Sequence, residues 1–282
     1  MTNRISAIMK IKKKVQSMKY VAFLDILGFK NKLAKLKQGE AEKYISDFSR
    51  TIYDIWEKQN FNLINGYIVS DSVIIYTENV SKESLKELVK AIREIGQEEF
   101  RKHSILIRGA IAKGEFNKMD AMELSRLSKG LVVGQAYVDA YLLESAIKTI
   151  GIVLQDKVVA DYIEADLPKE ELVSIDVKQN LLVYRYIDNN FLQNKSNLEI
   201  FLNLAKESKW LPHYYNAIYS ALKKSGSSDK VFSTIFELMH ESQMYKYTDI
   251  DDFINGSFAD EVDSNYKRRF LKFLRRRIYE KN

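Results

Sequence analysis

The sequence predicts an α+β fold: a mixed, partly antiparallel sheet with flanking helices, followed by a C-terminal helical extension. Three observations carry that expectation. Short runs rich in apolar and aromatic residues alternate with long amphipathic stretches without strict βαβ regularity, some of the strand runs pair up as hairpins, and beyond about Asn189 strand patterns stop.

In chain order, KYVAFLD (Lys19 to Asp25) has the short apolar composition of a central strand. An amphipathic stretch follows from about Lys30 to Gln59. GYIVSDSVIIYTE (Gly66 to Glu78) reads as two strands meeting at a tight turn around Ser70, Asp71 and Ser72, and a Ser-x-x-Ser-x-x-Glu opening at Ser81 starts a helix running to His103. SILIRGAIAKGE (Ser104 to Glu115) is a strand with a central glycine, Phe116 to Gly130 a polar loop with a helical turn, and Val132 to Ile147 a strand end and a helix. GIVLQD (Gly151 to Asp156) is a short strand, and LVSIDV with LLVYRYID (Leu172 to Asp188) forms a closing hairpin. A hairpin inside this pattern implies a mixed sheet with helices on one side. From Asn197 the chain reads as successive helices broken at KKSGSSDK and NGS. The expected organisation is a basic N-terminal segment 1–17, a sheet domain 18–190 and a helical extension 191–282. In the extension Tyr214, Tyr215, Tyr219, Phe232, Phe236 and Met239 form an apolar stripe that packs on the core.

The chain has 282 residues, 46% of them hydrophobic, enough for one sizeable core. It has no cysteine and three histidines, which excludes a disulfide framework and a Cys-rich zinc site and leaves oxygen ligands for any metal. No apolar run approaches the roughly 20 residues that cross a bilayer, and the N-terminus is too polar for a secretory signal. A cytoplasmic protein without a membrane partner is expected. The net charge of +6 gathers in KIKKK (Lys10 to Lys14) and KRRFLKFLRRR (Lys267 to Arg277). In the second cluster Phe270, Leu271, Phe273, Leu274 and Ile278 recur at helical spacing, so its basic residues read as the solvated face of a docking helix. A nucleic-acid partner is therefore not expected; such a partner would show in a salt-steep affinity.

Two acids stand out. Asp25 ends an apolar strand and is followed at once by Gly28, and Asp71 sits in a turn between two apolar strands. Carboxylates brought together at neighbouring strand ends repel and raise one another's pKa unless a cation lies between them. Magnesium, held by one or two carboxylates plus substrate phosphates, suits such a pair.

These stretches resemble the class III nucleotide cyclase domain. FLDILGF resembles the strand that carries the family's first metal aspartate, here Asp25, and VSDSVII the hairpin with the second, here Asp71. RGAIAKGE resembles its strand ending in glycine, GQAYVDAYLLE (Gly134 to Glu144) its glycine-to-glutamate helix, and VSIDVKQNLLVYRY (Val173 to Tyr186) the closing hairpin with a phosphate-binding lysine, here Lys178. Five stretches in the right order cover roughly residues 19–187. The lysine and aspartate that read purines fall on Tyr67 and Leu131, and the transition-state asparagine and arginine on Val138 and Leu142. The resemblance is therefore closest to the pyrimidine cyclases of the Pycsar antiphage system, which make cyclic UMP or cyclic CMP for a downstream cyclic-nucleotide-binding effector.

The resemblance implies a nucleoside triphosphate substrate, UTP before CTP, and two Mg²⁺ or Mn²⁺ ions held by Asp25, Asp71 and the Ile26 carbonyl. It also implies terminal phosphates cradled by amides at Leu27, Gly28 and Phe29, and a head-to-tail homodimer with its active sites at the interface. Arg108, ahead of Lys113 and Arg185, is the substitute for the missing arginine; Tyr67 is the candidate base contact; Tyr137 and Asp139 are candidate contacts across the dimer. The other reading of the same residues is a catalytically silent, cyclase-like module that senses a nucleotide or a phage component.

Overall fold

Strand β1 (Met18–Ile26) is apolar on both faces, so it belongs in the middle of a sheet, and it lies there. In the computed structural model, which describes residues 18–119, 131–146, 148–176, 181–207 and 211–222 together with Lys272 and Arg276, β1 pairs antiparallel with β3 (Ser72–Thr77) and β4 (Ile107–Glu115). The described strands β2 (Ile64–Val69), β7 (Ile152–Leu154), β8 (Leu172–Asp176) and β9 (Leu181–Tyr184) complete a seven-stranded sheet in the order β2-β3-β1-β4-β7-β9-β8. Among the described strands only β4 and β7 run parallel, so the sheet is mixed and the fold α+β. A separate ribbon joins β5 (Asn117–Met119) to β6 (Leu131–Val133).

Alternation along β1 divides the core. Tyr20, Ala22, Leu24 and Ile26 face α2 (Gln38–Gln59) and α3 (Lys82–His103), meeting Phe48, Ile52, Leu88, Ile92 and Ile95. Val21 and Phe23 face the other way, against Ala136 and Ala140 of α4 (Gln135–Ala146). Helices therefore flank both faces, where the sequence suggested one; an equally apolar pattern on both faces of a strand carries no sign of which face a helix will cover. Small residues bring α4 close, and a Cβ added at Gly114 would stand 3.2 Å from the Ala136 nitrogen.

Local chemistry sets the helix boundaries. The stretch read as amphipathic from Lys30 splits into a short α1 (Phe29–Leu33), which buries none of its residues, and α2, where the Glu40 carboxylate accepts the Lys37 N–H at 2.9 Å. Helix α3 starts as expected, with the Ser81 hydroxyl accepting the Ser84 N–H. A helix absent from the sequence reading, α5 (Asp156–Glu164), fits Val158 and Tyr162 into the core at i and i+4. Two buried positions in nine residues are too few for periodicity to reveal. Part of the loop expected from Phe116 is the strand β5; residues 120–130 lie outside the described residues.

The extension starts with α6 (Asn189–Gln193), α7 (Lys195–Glu207) and α8 (Leu211–Leu222). Phe201 and Tyr214 reach the main core, Phe201 lying 6.2 Å from the Phe100 ring and 5.1 Å from that of Tyr214. Residues Phe232, Phe236 and Met239 lie outside the described residues, while Lys272 and Arg276 are exposed on helix. Buried Arg185, just past β9, donates to the Ser220 and Ala221 carbonyls at the end of α8 and to the Glu170 carbonyl. A guanidinium there satisfies carbonyls that a helix end leaves without partners and complements the helix dipole. Arg185→Met keeps the volume and orphans those carbonyls, so a loss of roughly 2–3 kcal/mol is expected in urea unfolding; a loss below about 0.5 kcal/mol would mean the carbonyls find other donors.

Candidate active site

The β1–β3 and β1–β4 registers place Asp25 between Ser72 and Arg108. Residues in cross-strand register share a face, so all three project from the side that α4 covers. The Ser72 hydroxyl lies 3.4 Å from Asp25 Oδ1, and Arg108 Nη2 lies 3.5 Å from Oδ2. Asp71 arrives by a different route. It follows Ser70 in the two-residue connection of the β2–β3 hairpin, where Ser70 takes a left-handed conformation (φ 58°). Its carbonyl accepts the Ile26 N–H at 3.2 Å, which pins the turn to the end of β1 and sets Ile26 between the two acids in the chain path. Burial, and then the nearby Asp71 charge, raise the Asp25 carboxyl above the usual carboxylate range, with Arg108 opposing both. The structure thus brings Asp25, Asp71 and Arg108 together.

The turn after β1 explains Gly28. Its backbone lies at φ 76°, ψ 14°, a conformation glycine adopts without steric cost, and it reverses the chain into α1. The Leu27 N–H donates to the Leu106 carbonyl at 2.8 Å, so Leu27 brings no free amide to the expected phosphate cradle; the amides of Gly28 and Phe29 remain as its candidates. Phe29 stacks on Tyr44 of α2 at 6.2 Å, holding α1 down. Leu27 and Gly28 also border a cavity of about 340 Å³ shared with Asn31, Lys32, Lys35 and Tyr44. Lys178 lies outside the described residues.

Glu144, at the end of the GQAYVDAYLLE stretch, also belongs to this site. It lies on α4 at 5% exposure, and its Oε1 stands 2.6 Å from Arg108 Nε, close as an ion pair though not aligned as a hydrogen bond. Burial raises its carboxyl, and Arg108 offsets part of that rise. A signal was present: Ala136, Ala140 and Glu144 recur every four residues, which puts the carboxylate on the buried stripe of the helix.

Tyr67 is opposite Ile74, which in turn is opposite Phe23, so it stands on the same sheet face as Asp25, one paired row away. Its ring stacks on Tyr76 at 5.8 Å, and it borders an apolar cavity of about 160 Å³ with Trp56 and Ile68. The other cations proposed as substitutes are committed elsewhere: Lys113 pairs with Asp161 at 2.6 Å and Arg185 caps α8. Asp139 accepts from Gln135 and Gln155 of its own chain, and the Tyr137 ring packs edge-on to Phe23. Val138 and Leu142, by contrast, are 44% and 59% exposed, with Tyr141 and Val133 exposed beside them on α4 and β6. The Leu131 backbone pairs with Met119 in the ribbon.

No group of three or more His, Cys, Asp or Glu residues placed to hold a metal occurs among the described residues. The Asp25 carboxylate, with Asp71 close enough for its charge to be felt there, and the Ile26 carbonyl next in the chain nevertheless offer an all-oxygen donor set. That chemistry fits Mg²⁺ or Mn²⁺, which retain water and take the rest of their ligands from substrate phosphate.

No protein-family model matches the chain, and no curated protein matches it. Among solved structures, it is similar to the adenylyl cyclase CyaB from P. aeruginosa at 16% identity and TM-score 0.40, over 52% of this chain and 81% of that one. The dimeric guanylyl cyclase domain of the RhoGC fusion protein from Blastocladiella emersonii aligns at 15% identity and TM-score 0.42, over 52% and 84% of the two chains. The guanylate cyclase domain of RhGC from Catenaria anguillulae, solved with GTP, aligns at 16% identity and TM-score 0.45, over 60% and 96%.

Proposed function

We propose that the chain is a nucleotide cyclase that converts a pyrimidine nucleoside triphosphate, UTP or CTP, to the 3′,5′-cyclic monophosphate and pyrophosphate. The observation that carries this reading is the pinning of Asp71 to the end of β1 beside Asp25. Two buried-edge carboxylates held together by the backbone are costly unless a cation is their working partner. Asp25, Asp71 and the Ile26 carbonyl are the residues that would hold two divalent ions, which when bound neutralise phosphate charge and lower the pKa of the attacking hydroxyl.

In the reaction the ribose 3′-oxygen forms a bond to the α-phosphorus, the bond from that phosphorus to the bridging oxygen breaks, pyrophosphate leaves, and the hydroxyl proton passes to solvent. The chain's own contribution is placement. The Gly28 turn lets the backbone approach the terminal phosphates, with Gly28 and Phe29 amides, the exposed Lys32 and Lys35, and Lys178 as the groups that neutralise them. Tyr67 offers a flat, uncharged contact for a pyrimidine, where the family reads purines with a charged pair. Arg108 balances the charge on Asp25 from the neighbouring strand.

The second copy of the chain completes the site. Exposed Val138, Tyr141 and Leu142 lie on α4, on the sheet face that bears the acids, and a head-to-tail homodimer covers them. Leu142→Glu is expected to yield a monomer in sedimentation at micromolar concentration and to remove turnover; an unchanged dimer would move the interface elsewhere. No helix among the described residues is long and apolar enough to cross a membrane. The proposed setting is the cytoplasm, where the cyclic nucleotide serves as an antiphage second messenger for a separate effector.

One observation favours the silent module: Arg108, the cation beside the acids, is already paired with Glu144. Incubation with each labelled NTP and Mg²⁺ or Mn²⁺ separates the readings. One cyclic pyrimidine monophosphate is expected. Cyclic AMP or cyclic GMP would overturn the base reading, and absence of product in the presence of metal and nucleotide binding would favour the sensor.

A further inference from the structure

We propose that Glu144 is a positioning residue for Asp25, acting through Arg108; this deepens the metal-site reading and rests on it. Arg108 stands directly across from Asp25 on the neighbouring antiparallel strand, the arrangement in which opposite charges pair most readily. Left alone, a guanidinium there closes on the carboxylate through two parallel hydrogen bonds and takes the oxygens that a divalent ion needs. The structure shows something else. Arg108 Nε stands 2.6 Å from Glu144 Oε1, whereas its Nη2 keeps 3.5 Å from Asp25 Oδ2.

The asymmetry has a physical cause. The Glu144 side chain is 5% exposed and that of Asp25 20%, so Glu144 loses more by standing ionised without a partner. The guanidinium therefore belongs mainly to Glu144. Asp25 retains a nearby positive charge that makes its ionised form tolerable, without a bond that blocks it. The same contact ties α4, which carries the exposed apolar residues of the proposed interface, to the acid end of β1.

The test is Mn²⁺ binding to the full chain, read as loss of the free-ion signal in electron paramagnetic resonance, with no nucleotide and no activity measurement. Glu144→Gln should weaken binding about tenfold as Arg108 closes on Asp25. Arg108→Gln should bind at least as tightly as the wild type, and adding Glu144→Gln to Arg108→Gln should change little, because the lever has gone. Glu144→Asp, which keeps the charge on a shorter arm, should fall between Glu144→Gln and the wild type, and it stands in if the Gln variant does not fold. An equal loss in both backgrounds would show that Glu144 acts by its own charge, and no loss in either would show that it only packs; each overturns the proposal. If the wild type shows no Mn²⁺ site that Asp25→Asn removes, the metal reading itself falls.

Discussion

Asp71→Asn should lower cyclic nucleotide formation by roughly 10³-fold or more while leaving the protein folded and at least as stable as the wild type in metal-free buffer. The two halves of this result have one cause. Asp71 contributes to the site by a charge that is unfavourable in the empty fold: its carboxylate is among the groups that raise Asp25. Removing that charge relieves the repulsion and removes the cation site together. The sign with pH follows from Asp25, whose folded pKa lies above its unfolded value. The folded state then holds more protons than the unfolded state in the window between the two values, and stability falls as pH rises through it. Asp25→Asn should flatten that part of the pH–stability curve. Added Mg²⁺ should raise the wild-type Tm, as any ligand that prefers the folded state does, and should leave Asp71→Asn unmoved. A metal-dependent Tm shift without turnover, in a protein supplied with all four NTPs, would mean that the acids hold an ion and the chemistry has been lost.

The strand that carries Asp25, the hairpin that presents Asp71 and the turn at Gly28 were legible because each depends on local sequence: an apolar run, a Ser-Asp-Ser turn, a glycine where φ must be positive. What surrounds them was not. Arg108 meets Asp25 because two strands far apart in sequence pair in one register, and it leans away because Glu144 arrives on α4, which crosses to the second face of the sheet. Nothing local to any of these residues specifies that geometry. Arg185 shows the same limit from the opposite side: in the sequence it is a candidate substitute for the missing transition-state arginine, whereas tertiary packing spends it on the end of α8. Leu27 is a smaller instance, with the residue correctly placed at the turn and its amide claimed by Leu106. Helix α5 was missed because its signal is only two buried residues.

A second large effect is expected far from the acids, at Glu99. This glutamate lies on the buried stripe of α3 between Ile95 and Phe100, fully inaccessible, and neither carboxyl oxygen accepts an aligned hydrogen bond. Thr51 is a polar neighbour, and its hydroxyl donates to the Asp47 carbonyl and lies 3.1 Å from His103 Nε2. Burial dominates and pushes the carboxyl up to about 8, with the Thr51 hydroxyl and then Lys102 opposing it and Asp47 and Glu98 adding to it. Tyr44, on the facing helix, is raised by burial and then by Glu99. The folded chain therefore keeps a proton on Glu99 across a window in which the unfolded chain has lost it. Stability contributed by that proton is present at low pH and disappears as pH rises toward 8. Glu99→Gln, which is neutral at every pH, should match the wild type near pH 4.5 and exceed it increasingly above, by on the order of 4 kcal/mol at pH 9. Urea unfolding of both proteins at intervals from pH 5 to 9 measures the divergence. Two curves that stay parallel would mean that Glu99 is ionised throughout, with an aligned partner for its charge, and that burial does not govern it.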